Sequence, residues 1–146
     1  MDRKQSGFLL IEALIAILIF AFAILAIVAL QAVVIKETAE AKYRMEAALH
    51  TDRLLGQMWA SNKVALAADF ASPGGARFAT WRDEVINTDL ADSNKTPGLP
   101  GATANPPTVV FGANNQVTVS VFWQQPGATA GTPPHQYVTI TQIWDQ

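Results

Sequence analysis

Hydrophobic and polar positions divide the chain into stretches of different character. Residues 8–30 are apolar apart from Glu12, and residues 13–30 contain no polar side chain. At about 1.5 Å per residue such a run makes a helix of roughly 35 Å, enough to cross a hydrocarbon layer near 30 Å. One membrane-spanning helix is therefore predicted over residues 8–35. Beyond it neither Pro nor Gly occurs until Gly56, and Ala, Lys, Glu, Leu and Met, all good helix formers, are frequent. The helix is predicted to continue as an amphipathic half within residues 36–68, ending near Asn62 or Leu66. On a helical wheel Met45, Ala48, Leu49, Leu55 and Trp59 form the stripe expected to pack on a sheet, while Glu46, His50, Arg53 and Gln57 gather elsewhere. Glu37 and Glu40 precede Lys42 and Arg44 at helical spacings that give weak surface support.

Residues 69–146 form the predicted globular domain. Ser72-Pro73-Gly74-Gly75, Thr96-Pro97-Gly98-Leu99-Pro100-Gly101 and Asn105-Pro106-Pro107 are turn formers that make residues 71–107 a long connecting loop. Within it a short helix is expected over 78–90, with Thr80 as its cap. Residues 108–111, 116–124 and 136–144 are rich in Val, Thr, Ile and aromatics, alternating at Val117, Val119, Val121 and Trp123 and at Val138, Ile140 and Trp144. They read as antiparallel strands of a sheet over 108–144, turned at residues 112–115 and linked through 126–134. The fold class is α+β: a long N-terminal helix packed on a small antiparallel sheet.

Composition narrows the chemistry. Half of the 146 residues are hydrophobic and 15% are charged, which excludes a disordered chain. A formal net charge of -2 gives no basic excess for nucleic-acid phosphates. The absence of cysteine excludes a disulfide framework, a thiolate metal site and a cysteine nucleophile. His50 and His135 read as solvated histidines without triad or metal partners nearby. Asp89, Asp92 and Asn94 match no calcium loop, and Asn94-Lys95-Thr96 is a glycosylation sequon too short to carry weight. Asp83 and Glu84 are adjacent rather than opposed across a cleft. No catalytic residue, metal site or cofactor is predicted. Trp59, Trp81, Trp123 and Trp144 lie in apolar-patterned segments, as core or interface anchors do, with at least two expected in the core.

Glu12 stands apart because an ionisable group at the edge of the hydrocarbon costs a few kcal/mol and normally has a partner or a task. Snorkelling to the headgroups from the first helical turn is the simplest explanation. Gly7, however, directly precedes Phe8, and scission there leaves a new amine one helical turn from the Glu12 carboxylate, where the two can neutralise each other within or between chains. Arg3 and Lys4 ahead of the apolar run favour a cytoplasmic N-terminus. An ordinary secretory signal cut after Ala23, in Ala21-Phe22-Ala23, is the competing interpretation. Against it, Ile24, Leu25, Ile27, Val28 and Leu30 continue the apolar run where a secreted protein turns polar.

The stretch Lys4-Gln5-Ser6-Gly7-Phe8-Leu9-Leu10-Ile11-Glu12-Ala13-Leu14-Ile15-Ala16 resembles the class III signal of type IV prepilins and type II secretion pseudopilins. Within that family, Leu30-Gln31 and the later Asp52-Arg53-Leu54-Leu55-Gly56-Gln57-Met58-Trp59-Ala60-Ser61-Asn62 are most similar to the minor pilins called type IV pilus modification proteins, the PilV-like group. The resemblance implies a leader of residues 1–7, scission between Gly7 and Phe8 by prepilin peptidase, N-methylation of Phe8, and a role for Glu12 in filament assembly. It further implies a structural, non-enzymatic subunit anchored in inner-membrane lipid of a bacterium, with its globular domain in the periplasm. Its partners would be other minor pilins and the major pilin, reached through the N-terminal helix. A minor pseudopilin of type II secretion and, from another class, a secreted or membrane-anchored binding protein are the alternatives.

Overall fold

The computed structural model describes residues 5–87, 98–129 and 131–144. The chain has the expected α+β, pilin-like architecture. Helix α1 spans Gln5–Trp59, α2 Leu66–Phe70 and α3 Ala76–Ile86; strands β1 (Thr108–Phe111), β2 (Gln116–Trp123) and β3 (His135–Gln142) form one antiparallel sheet in the order β1-β2-β3. Two compact units share α1: residues 1–39, and Glu40–Gln146, which holds the sheet and the other helices. The 88–97 segment, with Asp89, Asp92, Asn94, Lys95 and Thr96, lies outside the described residues, as do residues 1–4 of the expected leader.

In the first unit every described side chain from Phe8 to Thr38 is exposed. This rod is long and apolar enough to span a membrane. It is stable only where another apolar medium surrounds it.

In the second unit the core joins Ala47, Leu54 and Met58 of α1, Leu66 and Phe70 of α2, Phe78, Trp81 and Val85 of α3, and Val109, Val117, Val119, Val121, Trp123 and Ile143 of the sheet region. The buried face of α1 is thus not the predicted stripe. Leu54 follows Met45 by nine residues, about 180° round the helix. Met45 and Leu49 are 73% and 69% exposed, whereas Leu54 and Met58 are fully buried. The reason is that α1 is apolar on two opposite faces, and the core takes the one bearing Ala47, Thr51, Leu54 and Met58. The Thr51 hydroxyl donates to the Ala47 carbonyl, so its burial leaves no orphan.

Helix α1 ends at Trp59, short of the expected Asn62 or Leu66. Asn62 accepts a hydrogen bond at Oδ1 from the Val64 amide (3.0 Å) and starts a 3-10 turn, Lys63–Ala65. Lys63 folds back so that its ammonium donates to the Met58 and Trp59 carbonyls, neutralising the helix's negative end. The third helix also begins earlier than expected, after Gly75 rather than Thr80; the Ala79 amide donates to Gly75 (2.9 Å), and Thr80 points its hydroxyl back at Ala76. Gly75 is required there, since a Cβ would stand 2.3 Å from the Asp69 carbonyl oxygen.

Residues 98–107 are not a free loop. The Leu99 amide donates to Val85 (2.9 Å), and Leu99 and Ala102 are buried. On the sheet, β2 turns Val117, Val119, Val121 and Trp123 inward as predicted. Pairing places Thr139 opposite Val119 and Tyr137 opposite Val121, so these β3 residues share the core side. Val138 and Ile140 consequently face outward beside Ser120 and Thr118, and Trp144 is exposed as well. Of the four tryptophans, Trp81 and Trp123 are core residues.

Candidate functional site

The residues with the strongest sequence signal, Gly7, Phe8 and Glu12, all lie on α1. Phe8 and Glu12 are exposed and one helical turn apart, so they share a face. Among the described residues Glu12 has neither an ion-pair nor a hydrogen-bond partner, and its neighbours Ile11, Leu14 and Ile15 are exposed hydrophobics. An ionisable group among apolar side chains at the edge of a hydrocarbon layer is costly and ordinarily has a partner.

A second part of the arrangement was legible in the sequence only as a core stripe. Met45, Leu49 and Trp59 project from the side of α1 away from the sheet, with Gly56 between the last two. No atom lies within contact distance of a Cβ placed at Gly56. Small and apolar groups along one line give a helix a surface against which another helix can approach closely.

Neither histidine is simply solvated. His135 opens β3, stacks on Trp123 with ring centroids 5.7 Å apart, and holds Nδ1 3.3 Å from Glu40 Oε1. The same Glu40 oxygen lies 3.8 Å from Arg44, so the pair ties the start of β3 to α1. His50 is half-buried where α3 meets α1. Its backbone carbonyl accepts the Trp81 indole N–H (2.9 Å), and nearby Arg53 Nη1 lies 3.0 Å from Glu84 Oε2, close enough for an ion pair but off hydrogen-bond alignment. Sequence patterning missed both clusters because their members are far apart in the chain.

Burial lowers the pKa of His50 from its ordinary 6.5, outweighing the attraction of Glu84 and Glu46, while Arg53 adds to the lowering. The unfolded chain therefore takes up this proton at higher pH than the folded one. Its contribution to stability is complete above about 6.5 and is lost as pH falls through the lower, folded-state pKa. Chemical denaturation of the globular unit at pH 7.5 and 5.5 is expected to show lower stability at 5.5, with the difference reduced in H50Q. An unchanged difference in H50Q would assign the effect elsewhere.

Among the described residues no group of three or more His, Cys, Asp or Glu side chains is placed to hold a metal ion. No family model, curated protein or solved structure matches the chain.

Proposed function

We propose that this chain is a non-enzymatic structural subunit of a pilus-like filament, a minor pilin of the PilV-like kind. In this reading it waits in the bacterial inner membrane with the globular unit in the periplasm, loses residues 1–7 to prepilin peptidase, is methylated on Phe8, and enters the filament. The observation that carries the reading is an α1 apolar on every side over residues 8–30, interrupted there only by an unpartnered Glu12 one turn from Phe8, and apolar on two opposite faces beyond residue 39. A membrane anchor alone needs the first feature. The outward line of Met45, Leu49 and Trp59 beyond the span is of use to a helix that later packs among other helices. Glu12 would then receive the amine of Phe8 from a neighbouring subunit. A minor pseudopilin of type II secretion would use the same helix and differ in its partners.

The intact mass and first residue of the protein from its native membrane test this reading. A chain beginning with N-methylated Phe8 is the expected result. A start at Ile24 would identify a secreted protein, and an intact Met1 an ordinary anchor; either would overturn the proposal.

A further inference from the structure

The two edges of the sheet are treated differently. Val109 on β1 directs its amide and carbonyl away from β2, and Ser72 satisfies both: the Ser72 amide (3.0 Å) and hydroxyl (2.9 Å) donate to the Val109 carbonyl, and the Ser72 hydroxyl lies 3.1 Å from the Val109 nitrogen as acceptor. Between the strands, the Ile143 amide donates to Asn115 at the end of the β2–β3 ladder, and the Gly112 amide donates to Gln116 at the end of the β1–β2 ladder. With the observed register these bonds fix the phase of the ladder. Thr141, Thr139, Tyr137 and His135 face β2 with their backbone groups, while Gln136, Val138, Ile140 and Gln142 present theirs to the open edge. Among the described residues nothing bonds to those groups. The edge also lacks the usual protections against pairing, since β3 contains no Pro, Lys, Arg, Asp or Glu.

We propose that the open edge of β3 pairs with β3 of a second copy of this chain, antiparallel about a two-fold axis at Thr139. The strand His-Gln-Tyr-Val-Thr-Ile-Thr-Gln is close to a palindrome about that residue. In this register Val138 meets Ile140 of the second copy, Gln136 meets Gln142, Tyr137 meets Thr141, and Thr139 meets itself. Aliphatic side chains stand opposite aliphatic ones on the outer face, and amide stands opposite amide. No like charges oppose each other, and every free amide and carbonyl of Gln136, Val138, Ile140 and Gln142 gains a partner. Moving the axis to Val138 or Ile140 leaves an end of each strand unpaired. The alternating faces are preserved across the join, so an uncharged outer surface continues from one sheet to the next. An edge of roughly 27 Å covers less than the 800 Å² or so per partner of a standard interface. Association is accordingly weak and concentration-dependent, and covalent trapping is the suitable probe.

Cysteine substitution gives a clean test because the chain has none of its own. Thr139 would form a non-hydrogen-bonded pair with Cα atoms about 4.5 Å apart, within disulfide range. Purified full-length T139C, oxidised in detergent micelles over a concentration series, is expected to give a disulfide dimer well above that of V64C, a collision control at an exposed site. Ile140→Pro removes a donor that points away from β2, so adding it to T139C should abolish the dimer while leaving the β2–β3 ladder intact. A second pair of variants guards against misfolding of T139C. Q136C and Q142C should cross-link when mixed, but neither should do so alone, because like positions lie roughly 20 Å apart in this register. T139C dimer no greater than that of V64C, no Q136C–Q142C dimer on mixing, or cross-linking of Q136C with itself would each overturn the proposed pairing.

Discussion

Replacing Glu12 with Ala is expected to leave the chain inserted in the membrane and to exclude it from filaments. Removing the carboxylate makes the apolar run more continuous, so insertion is not impaired. The loss falls on assembly. If Glu12 receives the Phe8 amine of a neighbour, the substitution leaves that amine unpaired in an apolar medium, and breaking such a buried pair from one side costs about 3–5 kcal/mol. That corresponds to incorporation falling by more than about a hundredfold. The measurement is the ratio of E12A protein in sheared filaments to that in the membrane fraction, set against wild type. Wild-type incorporation of E12A would refute the pairing, and loss from the membrane fraction would show that Glu12 acts earlier, in insertion.

The second large effect is expected from Trp81→Ala. Trp81 is 2% exposed, packs against Phe78 with ring centroids 6.0 Å apart, and donates its indole N–H to the carbonyl of His50. It is therefore both core volume and the link that docks α3 on α1. Truncation of a buried Trp costs about 3–5 kcal/mol, a large part of the 5–15 kcal/mol that ordinarily holds a domain folded. The expected result is a fall of at least about 12 °C in the unfolding midpoint of the globular unit, followed by near-ultraviolet circular dichroism in detergent. Far-ultraviolet helicity from residues 8–35 should persist, because the apolar segment draws its stability from the surrounding medium. Trp81→Phe keeps most of the packing and loses one hydrogen bond, worth about 1 kcal/mol, so it should fall between the two. Equal midpoints for W81A and wild type would contradict the role assigned to Trp81.

Where local pattern and environment agree, the elements lay open in the sequence. The apolar run at residues 8–35 makes a helix in any register, and β1 and β2 follow from short Val-rich segments bounded by Gly112 and Asn115. The places that escaped are those where two registers compete. Met45 and Leu49 outrank Ala47 and Thr51 in hydrophobicity, yet the smaller residues are the buried ones. Val138 and Ile140 outrank Thr139, yet the partner strand β2 had already committed Val119 and Val121 to the core. Periodicity reveals that a face exists, but the choice between faces depends on what stands opposite.

The amino-acid sequence by itself determined the span, the lone carboxylate at Glu12, the Gly7-Phe8 junction and the α+β order of elements, because each rests on neighbours along the chain. Only the tertiary structure decided which face of α1 is covered, where α1 stops, how His50 and His135 are engaged, and which edge of the sheet is left open. Those outcomes depend on contacts between distant segments: Trp81 with His50, His135 with Glu40, Ser72 with Val109. Their energies arise only once the chain has brought the partners together.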